Sequence, residues 1–209
     1  MTLPSSLEST LDAGLAELGL TTPGLRNALL AYLALLVQWN RAYNLTAIRD
    51  PDEMAVKHLL DSLAAHRFVE GTIADIGTGP GLPGIPLALA KPGLCVSLVE
   101  TAGKKARFLR GAVRALKLEN VRIHACRAED VPETGQYDGL IARALAPLDG
   151  ILSLGGHLLR QGGKLLAMKG RMPDEEIAAL PAGYRHLATH RLHVPGLDAE
   201  RHLIVIEKL

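Results

Sequence analysis

The sequence predicts an α/β protein, a doubly wound sheet of seven mostly parallel strands with a helical extension at its N-terminus. Three observations carry this. From Ile73 onward, short apolar runs alternate with segments of helical periodicity. The first run, residues 73–76, leads directly into Gly77-Thr78-Gly79-Pro80-Gly81. The residues before it space their leucines for helices, not strands.

Taken in order, residues 5–18 predict a helix with Leu7, Leu11, Leu15 and Leu18 on one side, ended by Pro23 and Gly24. Residues 25–40 predict a second, with Leu29, Leu33, Leu36 and Val37 apolar. Tyr43-Asn44-Leu45-Thr46 reads as a loop. Asp50, Pro51 and Glu53 then supply an N-cap, a first-turn proline and a capping-box acid, and a third helix runs from Met54 to about His66. Strands follow at 73–76, 95–100, 121–124, 139–143, 164–169, 184–192 and 203–208. Helices fit at 82–90, 104–118, 147–159 and 174–180. Only Pro195-Gly196 breaks the interval between the last two strands, which suits an antiparallel pair at one edge. Residues 1–68 are expected to cap a single core formed by 69–209.

Composition bounds the function. The chain has 209 residues, 48% hydrophobic and 22% charged, the balance of a soluble globular protein. No apolar run is long enough to span a bilayer, and no signal-peptide pattern opens the chain, so a cytoplasmic location is the expectation. Cys95 and Cys126 have no C-x-x-C spacing and read as buried reduced thiols. The eight histidines are scattered, mostly as surface residues, and no metal cluster is expected.

The glycine turn carries the chemistry. Glycine tolerates φ > 0 and lets a ligand lie against the backbone. Gly77, Gly79 and Gly81 give G-x-G-x-G, one residue shorter than the usual dinucleotide spacing. Glu100, at the end of the next strand, stands where an acid accepts from ribose hydroxyls. Asp75, before the first glycine, suits the cationic end of S-adenosylmethionine and repels a pyrophosphate. Right-handed crossovers put this turn at the carboxyl edge of the sheet, where ligands bind. Arg127-Ala128-Glu129-Asp130 follows the third strand, beside an expected adenine; Arg143 ends the fourth; Lys169-Gly170-Arg171 ends the fifth. Lys104, Lys105, Arg107, Arg110, Arg114 and Lys117 crowd one helix that has no acid before Glu119, a surface for phosphates or simply a solvated face. Aromatics are only 3% of residues, which disfavours a broad stacking platform. His58, Asp61 and Ser62 lie too close along one helix for a nucleophilic triad and read as capping, packing or RNA contacts.

The ordered set of Trp39-Asn40, Tyr43-Asn44-Leu45-Thr46, Arg49-Asp50, His58-Leu59-Leu60-Asp61-Ser62, Asp75 through Gly84, Lys104 through Leu109, Arg127-Ala128-Glu129, Arg143-Ala144 and Lys169-Gly170 resembles the ribosomal RNA small subunit methyltransferase G family, also called glucose-inhibited division protein B. The resemblance implies a Rossmann-like class I fold and S-adenosylmethionine-dependent methylation of N7 of a guanine in the 530 loop of 16S rRNA, guanine 527 in the usual rRNA numbering, with S-adenosylhomocysteine as product. By the family pattern Gly77, Leu82, Ala128, Glu129 and Arg143 line the cofactor site. The full expected cofactor set adds Asp75, Gly79, Gly81 and Glu100. Lys104, Lys105, Arg107, Arg110, Arg114, Asn44, His58, Lys169 and Arg171 are expected to face RNA, as naked 16S rRNA or a 30S assembly intermediate, with no obligate protein partner. Arg143 and Lys169 are expected to position the substrate, without a general acid or base. Leu82 stands where many members have Phe, and Glu100-Thr101 where Asp-Ser is common. The alternatives are a small-molecule methyltransferase with the same cofactor, a nicotinamide oxidoreductase, disfavoured by Asp75, and an RNA-binding protein without catalysis.

Overall fold

The computed structural model describes residues 5–209. Two helices, α1 (Ser5–Leu18) and α2 (Leu25–Tyr43), open the chain. The alternating part contains β1 (Thr72–Ile76), β2 (Cys95–Val99), β3 (Val121–His124), β4 (Tyr137–Arg143), β5 (Leu159–Lys169), β6 (Tyr184–Arg191) and β7 (His202–Lys208). They form one sheet of order β3-β2-β1-β4-β5-β7-β6. β1 to β5 pair in parallel, while β7 runs antiparallel between β5 and β6. The reversal after β1, where the chain crosses from β3 to β4, is the switch point that opens a crevice at the strand ends.

Two apolar layers sandwich the sheet. On one face Leu7, Leu29, Leu36, Ile85 and Phe108 pack with Leu98, Leu166 and Leu203. This layer draws together α1, α2, α5 (Gly84–Ala90) and α6 (Gly103–Ala115). On the other, Leu148, Ile151 and Leu152 of α7 (Leu148–Gly155) pack on Ala74, Leu140 and Ile204. The short α8 (Asp174–Ala178) adds Ile177 at the border of this second layer.

The third helix departs from the sequence expectation of one continuous helix. It begins as α3 (Pro51–Met54), widens into a π-helix over Ala55–Leu60, and returns as α4 (Asp61–Leu63). Asp50 caps it as expected, its carboxylate accepting from Glu53 N at 2.9 Å. Glu53 turns to Lys57 at 3.0 Å, not back to the cap. β4 and β5 start earlier than hydrophobicity suggests. Polar Arg160-Gln161 and Gly162, with φ 72°, interrupt the apolar pattern there and form a bulge between the pairs Tyr137–Leu159 and Gly139–Lys164.

Both cysteines are free, but Cys95 is exposed and Cys126 half-buried, which corrects the buried-thiol reading. Each sits at a strand margin where the sheet no longer covers it. The histidine reading also changes. Only His193 is exposed; His58 is buried and the other six are half-buried, their imidazoles filling margins of the two layers. Among the described residues no helix is long and apolar enough to cross a membrane, and no group of three or more His, Cys, Asp or Glu could hold a metal ion.

Candidate functional site

The turn after β1 is built as a close-packed knot. Gly77, Gly79 and Gly81 all have positive φ, 64°, 62° and 102°. Gly81 and Leu82 donate to Thr78 O, at 3.0 and 2.9 Å, and Thr78 N reaches Val99 O at 3.2 Å. Tyr32, fully buried on α2, donates its hydroxyl to Pro80 O at 2.8 Å. The N-terminal helices therefore hold the turn from one side.

Asp75 holds it from below. Its Oδ2 accepts from Thr78 Oγ1 at 2.5 Å and from Gly84 N at 2.8 Å. It is 0% exposed, so it does not display its carboxylate to a ligand in the way the sequence suggested. Gly84 is small because a side chain there would collide with Leu98 and meet Asp75 Oδ2 at 2.8 Å. Burial pushes the Asp75 carboxyl up to about 7, against the pull of the Thr78 and Gly84 hydrogen bonds. Its Oδ1 is buried without a partner.

Glu100 ties the turn to the next strand. Gly79 N donates to its Oε2 at 2.9 Å and Ala102 N to its Oε1 at 2.8 Å, and Lys105 Nζ lies 3.8 Å from Oε2. Each carboxylate oxygen has a second acceptor direction, while the first organises backbone.

Above the knot lies a cavity of about 470 Å³ at the carboxyl edge. It brings together the expected residues His58, Gly77, Gly79, Leu82, Arg143 and Lys169. It does not bring in Asp75 and Gly81, which lie beneath, or Glu100, Ala128 and Glu129, which lie outside its lining on the β2–β3 side. Ala128 is half-buried and Glu129 exposed in a 3₁₀ turn (Ala128–Asp130) after β3. Lys104, Arg107, Arg110 and Arg114 are exposed on α6, opposite its buried Phe108, Leu109 and Ala112. Lys105 is half-buried beside Glu100. Asn44 is exposed at the end of α2 with Arg49 Nη2 on its Oδ1 at 2.8 Å, and Arg171 is exposed just past β5.

His58, expected to face RNA or to pack, lines the cavity but is largely buried. It is 7% exposed, and its Nε2 lies 2.8 Å from Thr46 Oγ1. Burial, with Arg143 nearby, lowers its pKa to about 4, so the ring is neutral at pH 7. Asp61 was assigned only packing, capping or RNA contact, yet it is the hub of the rim. Its Oδ2 pairs with Arg143 Nη1 and its Oδ1 with Arg201 Nε, each at 2.8 Å. Arg143 also donates to Lys57 O at 2.9 Å. Lys169 Nζ pairs with Glu176 at 2.8 Å and donates to Ala146 O at 2.9 Å.

Arg201, Lys57 and Met168 line the cavity without having been singled out. The signal for Arg201 was the antiparallel reading of the last strand. That direction starts β7 beside the end of β5, as the pairing of Lys169 with His202 shows.

A cofactor fits the floor. A Cβ on Gly79 would meet nothing within 4 Å, so open space lies over the turn, while Gly77 is exposed and overlaid by Leu145. A parallel sheet with this turn at its switch point and an acid closing the neighbouring strand defines a Rossmann-like methyltransferase fold. Solved structures share it: a SAM dependent methyltransferase from Aquifex aeolicus (TM-score 0.57, 16% identity, 76% of this chain and 94% of that one) and TrmN from Thermus thermophilus (TM-score 0.57, 22% identity, 71% and 48%). A family model, "GidB: rRNA small subunit methyltransferase G", matches residues 25–204. The ribosomal RNA small subunit methyltransferase G of Stenotrophomonas maltophilia (strain K279a) is 60% identical over 205 residues, 98% of this chain and 96% of its own. The enzyme of that name from Xanthomonas campestris pv. campestris (strain 8004) is 58% identical over 207 residues, 99% and 97%. The chain belongs to the rRNA small subunit methyltransferase G family, whose methyl donor is S-adenosylmethionine.

Proposed function

We propose that the chain methylates N7 of a guanine in small-subunit rRNA, the 530-loop guanine 527 that the family resemblance implies. The observation that carries this reading is the chemistry the cavity lacks. Its lining contains two groups able to take a proton, Asp61 and His58. Asp61 is bound by two guanidiniums, and His58 is buried against Thr46. Neither is poised as a general base. Guanine N7 needs none: it attacks through an in-plane lone pair and has no proton to lose.

S-adenosylmethionine supplies a methyl group on a sulfonium. Gly77 and Gly79 give its backbone-facing side room, and Leu82 forms an apolar wall. Glu100 stands on the ribose side, Ala128 and Glu129 on the adenine side, and Asp75 holds the turn in shape from beneath. Arg143 and Lys169, at the ends of β4 and β5, one and two strands from the turn, orient the base and its strand. Positioning is then the main source of rate. Aligning two reactants supplies on the order of 7–11 kcal/mol when their geometry is fixed. A guanine N7 inside an A-form helix is poorly reached, so the substrate is a splayed or loop base. The basic face of α6 supplies phosphate contacts beyond the cavity.

Mapping 7-methylguanosine in 16S rRNA from cells with and without this protein tests the reading. The modification should vanish at one guanine and return on complementation. An unchanged map rules the assignment out. Reversing Arg110 and Arg114 to Glu separates rRNA from a small-molecule substrate, because a small substrate would be methylated at an unaltered rate.

A further inference from the structure

The rim of the cavity holds more positive charge than its own acids balance. Asp61 is the sole carboxylate partner, among the described residues, of both Arg143 and Arg201. Lys57 and Lys169 each have their own acid, Glu53 and Glu176. One negative charge therefore serves two guanidiniums, and the pair is partly screened from water: the side chains are 18% and 26% exposed, and Asp61 4%.

The two arginines are held differently. The π-helix fixes Arg143. Asp61 N bonds Val56 O and His58 O, so it does not take Lys57 O as an α-helix would, and that carbonyl turns to Arg143 Nη1. Arg201 spends Nε on Asp61 and Nη1 on its neighbour Glu200 O at 2.8 Å. Its Nη2 has no partner among the described residues. Asp61 thus fixes the plane of the Arg201 guanidinium and leaves its Nη2 open.

Its place in the sheet says what arrives there. Nη1 of Arg201 lies 3.8 Å from where a Gly170 Cβ would stand, past the end of β5. In the order β3-β2-β1-β4-β5 that is two strands beyond the glycine turn, roughly 10 Å at ordinary strand spacing, and away from Glu100. A cofactor reaching from Glu100 to the turn ends near β4. The ground over β5 belongs to the second reactant.

We propose that Arg201 is an anchor for a phosphodiester of the RNA strand, next to the nucleotide presented for methylation, with Asp61 as its positioning residue. This rests on the rRNA reading above. The unpartnered Nη2 can donate a charged hydrogen bond to a phosphate oxygen, and a planar group already fixed by a carboxylate loses little freedom on binding.

Arg201→Ala and Arg201→Gln, with wild type alongside, are assayed for methyl transfer to 30S subunits lacking the modification, at several salt concentrations. Adenosylhomocysteine affinity is measured by titration. Both variants should raise KM for RNA about tenfold, as loss of a charged hydrogen bond does. They should leave kcat within about twofold and lower the salt slope by about 0.7 for one phosphate contact on a single strand. Adenosylhomocysteine affinity should not change. A fall in that affinity with KM for RNA unchanged assigns the anion to the cofactor carboxylate and overturns the proposal. Unaltered KM and salt slope overturn it too, as does a loss confined to kcat. Should the alanine variant not fold, the glutamine variant, which keeps the aliphatic stem and one uncharged amide donor, decides by the same readouts. Wild type that methylates neither 30S subunits nor protein-free 16S rRNA would refute the rRNA reading itself, a result distinct from any of these.

Discussion

Asp75 and Asp61 are both aspartates, both buried, and stand on either side of one cavity floor, yet their surroundings are opposite. Asp75 meets a hydroxyl and one backbone N–H and has no ion pair; burial raises its pKa to about 7. Asp61 faces two guanidiniums at 2.8 Å. The difference teaches what each half of the site is for. The floor is a dry, hydrogen-bonded knot that sets the path of a backbone. The rim is an ionic assembly that sets the direction of charge.

The sharpest way to break this comparison is to neutralise both. Asp61→Asn leaves two partly buried guanidiniums without a carboxylate and should cost about 3 kcal/mol, with a large loss of RNA methylation. Asp75→Asn keeps the shape and should cost less than about 1.5 kcal/mol near neutral pH, since the carboxyl there is already partly protonated. Urea unfolding of both variants ranks them; equal costs would erase the distinction. Within the floor, Gly84→Ala should destabilise by about 2 kcal/mol, because its Cβ meets Leu98 and Asp75. Gly79→Ala meets no atom, and only its φ of 62° opposes it, for about 1 kcal/mol.

pH sharpens the contrast further. The folded pKa of Asp75 is raised, so its stabilisation is complete below the unfolded value and is lost as pH rises through about 7. The folded pKa of His58 is lowered, so its stabilisation is complete above the unfolded value and is lost as pH falls through about 4. Across the acidic range the two oppose each other. Asp75→Asn should unmask the His58 dependence, with Tm climbing on the order of 5 °C between about pH 4.5 and 6.5. Wild type should be flatter, and a wild-type profile as steep as the variant's would contradict this. The smallest effect on the fold belongs to Arg110→Glu with Arg114→Glu. These exposed side chains should change stability by less than about 0.5 kcal/mol, while rRNA binding weakens and loses part of its salt dependence.

Much of this was legible beforehand. The strand-turn-helix around Gly77 to Gly81 and the antiparallel last strand follow from local periodicity and glycine placement. The rim was not, because it joins residues 61, 143 and 201 through sheet order, which no local pattern encodes. The neutral state of His58 was not legible, because burial, invisible in a single sequence, decides its charge. The partners of Asp75 were not legible either: its carboxylate meets Thr78 and Gly84, contacts made by the folding of the turn rather than by strand alternation. The π-helix went unseen because a one-residue widening leaves helical spacing almost unchanged.

The hydroxyl of Tyr32 on Pro80 O has a practical corollary. A shortened protein starting near residue 69 would carry every glycine of the turn yet lose the hydroxyl that holds that carbonyl oxygen in place. Donor affinity should therefore decline on excision of residues 1–68, which also supply Lys57, His58 and Asp61 to the cavity, and swapping the catalytic portion between relatives requires moving the amino-terminal helices along with it.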